Sequence, residues 1–538
     1  MIGANGVTAA GSISESGSYT VDTTGLTFPI LVRVDGVAGG ESTVHYTVIN
    51  QAGGSINANP VTTAIVTLAM RQDPGDVFQN ARVSDIALLT PTAVANASST
   101  LNIALNGART AAGLATTEDV NFLSGSFVAN KTGLDKILDL IKLQVDADES
   151  VVISNKTDDA VIRVSLPTTA GAVPTSSGSL GTVQSINTSA IDTLGSSFAA
   201  QFSNVVTNFG AGGNSAVQAL FDADFLHGGM NAAAIITMIA NAPEMNGATL
   251  LPSKVRNCTG AGTVQNNYVC DAVFTIKYSD NGLESIGFPV KRQADNTWKF
   301  YGDQAITDAS VNPVTWRTLN GNSAPTTKAG FNVSVRKNAL GQFATNSGTP
   351  ISKTEIYLGG TASGTALATL VTPQTNSCSN STNYMVLSTG GCGNFIEMAD
   401  ANIDSLRSQA RPKVTLRFLN AGNAQIGTFT TYLEAIPFKP SEVTDDRFAT
   451  FTSDSWTAYS QASANAAVSI VLNKSASVAL EDLVGGIYPT NGAIGDSLTF
   501  DTVRRNTTFS VKRGTDRNDL IAVTKDSAGR VFWFQRNP

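Results

Sequence analysis

Apolar and polar residues alternate with a period of two along much of this chain, most clearly after residue 306. Alternation of this kind predicts strands with one buried face. The sequence Pro437-Phe438-Lys439-Pro440 predicts a boundary between two units. We therefore expect two β-sandwiches of immunoglobulin-like or fibronectin-like type, at 306–437 and 438–538. The alternating segments are Phe331–Arg336, Glu355–Leu358, Val414–Leu419, Gln425–Leu433, Ala467–Leu472, Ser497–Thr502, Thr508–Lys512, Leu520–Thr524 and Arg530–Gln535.

A helical period replaces the alternation between residues 188 and 305. Ile191, Leu194 and Phe198 fall on one face of a predicted helix. A strand meander follows, and Asp280-Asn281-Gly282 supplies its first hairpin turn. This order predicts one α+β domain at 188–305. Its further helices are expected at Ser215–Leu226 and Ala232–Ala240, and its strands at Asn267–Ser279, Leu283–Arg292 and Thr297–Gly302.

The first 187 residues mix short strands with helices, and they are divided here into units at 1–60 and 61–187. Asn59 before Pro60 predicts a helix start, because proline at the first helical position loses no hydrogen bond. Helical pieces are expected within 75–125, and the segment 168–187 has the composition of a linker.

The fold class is thus mainly β and multidomain, with sandwiches flanking one α+β domain. Strands are expected at Ser18–Asp22, Phe28–Asp35, Thr43–Asn50, Ser150–Ser154 and Ala160–Leu166, and helical spacing at Leu134, Ile137, Leu138 and Ile141.

The phrase Gly17-Ser18-Tyr19-Thr20-Val21, followed by Ile30-Leu31-Val32-Arg33-Val34, resembles the late strands of a carboxypeptidase-regulatory-like β-sandwich. That resemblance implies a bacterial secreted or cell-surface protein, including lipoproteins. Only sixteen residues precede Gly17, so the early strands of the sandwich are missing. Either the module is cut short or another chain completes it by adding a strand to an open edge.

The phrase Trp298-Lys299-Phe300-Tyr301-Gly302-Asp303 is similar to the last strand of nuclear-transport-factor-2-like domains. The resemblance implies a cone-shaped domain with a pocket, in which Asp224 and His227 would be the polar groups. The alternative for His227 is a structural role at a helix end, where a cation is favourable. Phe198, Phe202 and Phe225 would either line such a pocket or fill it.

Four cysteines fall into two couples that are close in sequence, Cys258 with Cys270 and Cys378 with Cys392. Short separations and an even count predict two local disulfides and an oxidising compartment. The alternative is a cytosolic chain with four free thiols. Met1-Ile2-Gly3-Ala4 lacks the basic and apolar regions of a signal peptide, so export implies that a signal has been removed from this chain.

The charge pattern and the candidate metal ligands limit the classes of partner that the sequence predicts. Charged residues are 14% of the chain and the net charge is −7. No run of basic residues is longer than two, which argues against nucleic acid. No apolar run approaches the ~20 residues that span a bilayer. Asp146, Asp148 and Glu149 are the best calcium candidates, and solvated carboxylates in a turn are the alternative.

The sequence contains no nucleophile elbow, phosphate-binding loop or HExxH motif. We therefore expect a binding, adhesion or structural protein without catalysis, with a protein or polysaccharide of the cell surface as partner and self-association by strand addition. One alternative is a small-molecule binder or enzyme that uses the pocket of the α+β domain. Another is a carbohydrate-binding accessory protein that uses the rings of Trp298, Trp316, Trp456 and Trp533.

Overall fold

The computed structural model is mainly β, with 34% strand and 23% helix in several antiparallel sheets, which confirms the predicted fold class. The strand content follows from a chain whose polar residues are mostly uncharged and therefore suit exposed strand faces. The structure describes the chain except for residues 15, 39–40, 147–149, 159, 203–214, 260–267, 280–281, 322, 339–340, 346, 377, 379–382, 391–392, 410, 464–465, 474–477, 486–507, 513–519, 527–529 and 538.

The N-terminal part packs a three-stranded sheet on a layer of helices. The predicted helix start at Pro60 is confirmed: the Asn59 side chain accepts from the backbone N–H groups of Val61 (2.9 Å) and Thr62 (3.1 Å). The sheet order is β1-β2-β3. The elements are β1 Ile2–Gly3, β2 Ile30–Ala38, β3 Glu41–Ile49, α1 Pro60–Met70, α2 Pro74–Gln79, α3 Val83–Ile86, α4 Pro91–Ala104, α5 Asn106–Ala111 and α6 Gly133–Leu140.

Helix α1 covers the outer edge of β3. The Thr62 hydroxyl donates to the Tyr46 carbonyl (2.9 Å), and the Thr63 hydroxyl accepts from the Tyr46 N–H (2.9 Å). The two hydroxyl groups therefore occupy the N–H and carbonyl of Tyr46, which an added strand would need for its own hydrogen bonds at this point. The region expected as a strand at Ser18–Asp22 forms only a single bridge, between Ile13 and Tyr19.

A second sheet follows, in the order β4-β5-β6-β7. The strands expected at Ser150–Ser154 and Ala160–Leu166 are confirmed as β5 and β6, which pair antiparallel. The helical spacing that was expected to include Ile141 ends at Leu140, and the chain continues directly as strand β4. Its strands are β4 Ile141–Val145, β5 Val151–Asn155, β6 Val161–Ser165 and β7 Thr175–Ser176.

The region 188–305 combines helices with a sheet in the order β11-β10-β9-β8. The helix expected at Ser215–Leu226 ends at Gln218, because Phe221 forms a parallel bridge to Phe300 and the Asp222 N–H donates to the Phe300 carbonyl (2.8 Å). Strand β8 was not predicted. The elements are α7 Thr188–Ala199, α8 Ser215–Gln218, α9 Ala232–Ala240, β8 Thr249–Thr259, β9 Val269–Lys277, β10 Leu283–Arg292 and β11 Trp298–Phe300.

Cys258 and Cys270 form a disulfide, as predicted, and they lie directly opposite each other on β8 and β9. Cys378 is also disulfide-bonded, whereas its expected partner Cys392 lies outside the described residues. Among the described residues, the first hydrophobic core has members from Ile2 to Phe300. The boundaries expected at 60/61 and 187/188 therefore fall inside one core.

The remaining chain builds a six-stranded and a five-stranded sheet that share a second core, and a smaller sheet with a third core. The six-stranded sheet has the order β17-β13-β12-β25-β24-β22, and β12 pairs with β25 in parallel. The boundary expected at 437/438 separates the two cores but does not separate the sheets, because β25 crosses back to β12.

The strands expected in this part are confirmed where they are described, whereas Ser497–Thr502 lies outside the described residues. The two α-helices and the strands β12, β15, β16, β17, β20 and β22 described in this part were not predicted. The other sheets have the orders β16-β15-β14-β18-β19 and β20-β21-β23. The elements are β12 Ala309–Asn320, β13 Thr326–Val335, β14 Lys353–Leu358, β15 Ala368–Val371, β16 Val386–Leu387, β17 Phe395–Glu397, α10 Asp400–Arg407, β18 Lys413–Leu419, β19 Gln425–Tyr432, β20 Thr450–Phe451, α11 Ser453–Gln461, β21 Ala467–Asn473, β22 Val478–Gly485, β23 Thr508–Lys512, β24 Leu520–Asp526 and β25 Val531–Asn537.

Candidate functional site

A cavity of about 560 Å³ lies between the first and second cores, beside the end of β24. Its walls come from β3, β8, the end of β24 and the segments 407–412 and 432–436, and its floor comes from β4, β5 and β6. Small-molecule sites in proteins typically have volumes of about 300–1,000 Å³ and often lie between domains. We name this space the junction cavity.

The floor of the junction cavity is one face of the sheet β4-β5-β6. Lys142 lies opposite Ser154, and Val152 lies opposite Arg163. Because side chains alternate between the two faces of a strand, Lys156 projects to the same side as Ser154. The other face of these strands carries buried apolar residues, including Val151, Ile153 and Val164, which pack into the first core.

The junction cavity is basic in an acidic protein. Nine Lys and Arg residues and five Asp and Glu residues are among the described residues that line it. The whole chain has 35 Lys and Arg against 42 Asp and Glu. Positive charge is therefore concentrated at this one place.

Most of the arginines at the junction cavity are paired with carboxylates. Arg163 Nη2 lies 3.0 Å from Asp146 Oδ2. Arg407 binds both carboxylate oxygens of Glu442, at 2.7 and 2.6 Å. These ion pairs hold the cavity walls together, and their carboxylates are already bound by arginine. A further pair joins Arg256 and Glu434.

Two lysines on the floor lack such partners. The Lys142 ammonium group makes neither a hydrogen bond nor an ion pair with any residue that the structure describes. Lys156 is 8% exposed, and its ammonium group donates to the Leu138 carbonyl (2.7 Å) but to none of the described carboxylates.

Burial is the main cause that lowers the pKa of both lysines to about 8. The Glu434 carboxylate raises the pKa of Lys142, and the Asp139 carboxylate raises that of Lys156. The cation Lys254 lowers both pKa values.

His45 lies on the β3 wall and does not add a positive charge near neutral pH. Its Nε2 is 2.7 Å from the Thr43 hydroxyl. Burial, together with the positive charge of Lys254, lowers the pKa of His45 to about 4. The imidazole therefore stays neutral under ordinary conditions.

The disulfide lies next to the junction cavity and supports its wall. The Cys258 N–H donates to the Lys156 carbonyl (2.7 Å), which ties β8 to the floor. Arg411 Nη1 donates to the Cys258 carbonyl (2.7 Å) and its guanidinium lies 5.0 Å from the centre of the Tyr432 ring. The cross-link and this arginine together fix three segments around the cavity.

Asp224 and His227 do not line the junction cavity. Asp224 is exposed, and His227 Nδ1 is 3.6 Å from Asp303 Oδ2 rather than near Asp224. The His227 ring packs on Phe288, with 4.6 Å between ring centres. These contacts give His227 a packing role in the described part of the α+β region.

The interior of the 188–305 region is filled by its own aromatic side chains. Phe198 packs edge-on against Phe202, with ring centres 4.9 Å apart, and Phe225 packs on Phe221 at 4.8 Å. All four rings are buried, and they join Phe274, Phe288 and Phe300 in the first core. These phenylalanine rings therefore fill the space in which the resemblance implied a pocket.

The calcium candidates do not form a site within the described residues. Asp146 contacts Arg163 and lies 3.9 Å from Arg407, so it is already neutralised. Asp148 and Glu149 lie outside the described residues. Across the described ranges, no group of three or more His, Cys, Asp and Glu has a geometry that could hold a metal ion.

The tryptophans do not form a flat aromatic surface. Trp298 is buried, and Trp456 lies under the Arg536 guanidinium. Trp316 and Trp533 are neighbours on β12 and β25, but their rings meet edge-on at 65°. Sugar rings stack on exposed flat faces, which this arrangement does not offer.

Sequence reasoning missed the junction cavity for a specific reason. The alternation of Lys142 and Gln144 with Leu143 and Val145 is visible in the sequence, and it could have indicated strand β4. No pattern within a short stretch of sequence indicates that this strand lies close to β8 and to the segments 407–412 and 432–436.

Comparison with models of known protein families gives no match, and comparison with curated proteins gives none either. None of the described helices is long and apolar enough to cross a membrane.

Proposed function

We propose that this protein is a non-catalytic binding protein of the extracellular space or the cell surface that holds a small ligand in the junction cavity. The observation that carries the proposal is the cavity itself, whose volume is about 560 Å³ and whose lining comes from strands β3 to β6, β8 and β24 and from chain segments near residues 407–412 and 432–436. A space of this size within a stable fold suits a ligand better than a packing defect, since protein interiors are otherwise close-packed.

The extracellular part of the proposal rests on the disulfide between Cys258 and Cys270. Stable disulfides are typical of exported proteins and rare in the cytosol. Adhesion to a protein or polysaccharide and self-association by strand addition stay predictions from the sequence. The small-molecule alternative placed its ligand in the interior of 188–305, and we propose the junction cavity instead.

A cavity-blocking substitution tests the proposal. Ser154 lies on the floor, so Ser154→Trp should fill the cavity, whereas Ser165→Trp places the same ring on an exposed position of neighbouring β6. Thermal shift would be measured with a panel of neutral disaccharides, amino acids, nucleotides and organic acids. We expect at least one compound to stabilise the wild type and Ser165→Trp but not Ser154→Trp. Failure of the whole panel to bind, or equal binding by both variants, would contradict the proposal.

A further inference from the structure

The floor lysines indicate which chemistry the ligand must have, and this inference rests on the proposed function. An ammonium group that is taken out of water without a partner costs free energy. Lys142 has no hydrogen bond or ion pair to a described residue, and Lys156 has one neutral carbonyl. The carboxylates of Glu434 and Asp139 act on these lysines through space, but neither carboxylate forms an ion pair with their ammonium groups. Folding therefore leaves two positive charges on one face of the sheet that are only partly compensated by the described residues.

The five described carboxylates that line the junction cavity each bind a group other than the floor lysines. Asp135 accepts from the Lys131 N–H at 2.6 Å. Asp146 is bound by Arg163, and Asp526 Oδ2 accepts from Arg530 Nε at 2.7 Å. Asp139 accepts from the Thr188 hydroxyl at 2.7 Å, and Glu434 is paired with Arg256. Moving any of these acids to the floor would break a contact that already exists.

We propose that the junction cavity binds an acidic ligand, with a carboxylate, phosphate or sulfate group placed between the ammonium groups of Lys142 and Lys156. The Ser154 hydroxyl, which is opposite Lys142 in the strand register, is positioned to donate to the same group. Charge-assisted hydrogen bonds to such an anion would compensate both lysines at once.

A neutral ligand would leave the two floor lysines as they are, and a cation would be repelled by them. The neutral His45 can meet an uncharged part of the ligand without adding to the repulsion between cations. The volume of about 560 Å³ exceeds the space that one acidic group needs, so the ligand is a small molecule with an acidic end and not a bare ion.

Titration calorimetry at low ionic strength tests this inference on the full chain. The probes are pyrophosphate, citrate, an unsaturated uronic-acid disaccharide and its sulfated form, with cellobiose as the neutral comparison. The variants are Lys142→Gln and Lys156→Gln. Lys328→Gln is the matched control, because it removes the same charge from an exposed lysine that pairs with Glu397 outside the cavity.

We expect at least one acidic probe to bind the wild type and Lys328→Gln, with a Kd that rises by about 10-fold or more in each floor variant. The probe that binds distinguishes carboxylate, phosphate and sulfate. Acidic probes that bind all variants equally, or that do not bind at all, would overturn the inference. Binding of cellobiose that Ser154→Trp abolishes, without binding of any acidic probe, would overturn it while the proposed function stands.

Unfolding measurements guard against a variant that merely fails to fold. Lys142→Gln should keep or raise the melting temperature of the ligand-free protein, because it removes an unpaired charge. A lysine with a structural role would show the opposite change, and a loss of stability together with unchanged probe affinity would also contradict the inference.

Discussion

Buried or partly buried cations in the described part of this protein differ in how their charge is compensated. Arg109, which is 2% exposed, donates only to backbone carbonyls. Arg447 pairs with Asp73, and Arg530 Nε lies 2.7 Å from Asp526 Oδ2 with side-chain exposures of 5% and 2%. Lys142 and Lys156, on the floor of the junction cavity, have no described carboxylate within ion-pair distance.

The arginine pairs join parts of the chain that are distant in sequence. Arg447 reaches the cap of helix α2 through Asp73, and Arg530 Nη2 also donates to the Val145 carbonyl at 2.8 Å. Each of these two arginines lies beside a carboxylate, and removing that carboxylate would leave an uncompensated buried charge. The floor lysines differ from these arginine–carboxylate pairs, and we infer that a ligand supplies their counter-charge.

The largest effect should come from breaking an arginine pair. Asp526→Asn leaves Arg530 buried beside a neutral amide, and we expect the free energy of unfolding to fall by about 3–5 kcal/mol. Urea denaturation measures it. Asp35→Asn is the control, because Asp35 is 59% exposed beside Arg33, and such surface pairs contribute less than about 1 kcal/mol. Equal losses in the two variants would erase the distinction between buried and exposed pairs.

Removal of the disulfide should have the next largest effect. Cys258 and Cys270 are separated by 12 positions, and a loop of this size contributes about 3 kcal/mol when it is cross-linked. We expect the double variant Cys258→Ser, Cys270→Ser to lose about that much free energy of unfolding. It should also bind acidic probes more weakly, because the Cys258 carbonyl holds Arg411. A stability loss with unchanged affinity would show that the disulfide does not support the cavity wall.

Replacing a floor lysine should act in the opposite direction. Lys142→Met keeps the aliphatic stem and removes the unpaired charge, so we expect the ligand-free protein to gain about 1 kcal/mol. Chemical denaturation without added anions measures the gain. Lys328→Met, at the exposed pair with Glu397, is the control and should change stability little. A clear loss of stability in Lys142→Met would place this lysine with the structural arginines.

The two floor lysines should also give the stability a pH dependence. The pKa of Lys142 and of Lys156 is about 8 in the folded protein, below the usual 10.5. Between these values the unfolded chain binds more protons than the folded one, so the free energy of unfolding should rise with pH. Denaturation at pH 7.5, 8.5 and 9.5, compared with the double variant Lys142→Met, Lys156→Met, measures the difference. An identical slope in both proteins would refute the lowered pKa values.

Local sequence was sufficient for many individual elements. Asn59 and Pro60 start a helix because a capping side chain and a fixed φ act within a few residues. Cys258 and Cys270 pair because they lie on adjacent strands joined by a short connection. The helix expected to continue to Leu226 failed for the opposite reason, since its end is set by Phe300 from a distant strand.

The candidate site was beyond local reasoning. The predicted pair Asp224 and His227 is near in sequence but is not joined in space, whereas the floor of the junction cavity meets residues from far along the chain. Arg411 reaches Cys258 across 153 positions, and Arg530 reaches Val145 across 385. No periodicity in a short window records such contacts.

The sequence by itself determined the strand-rich character, the helix caps and the pairing of Cys258 with Cys270, because each depends on residues that interact within one element or hairpin. Only the tertiary structure decided that β25 returns to β12 in parallel and that the junction cavity opens above β4-β5-β6. The physical reason is that the first and second cores, each stable through its own apolar contacts, leave a space where polar faces meet. The charge of that space depends on which of the converging lysines and arginines find carboxylates.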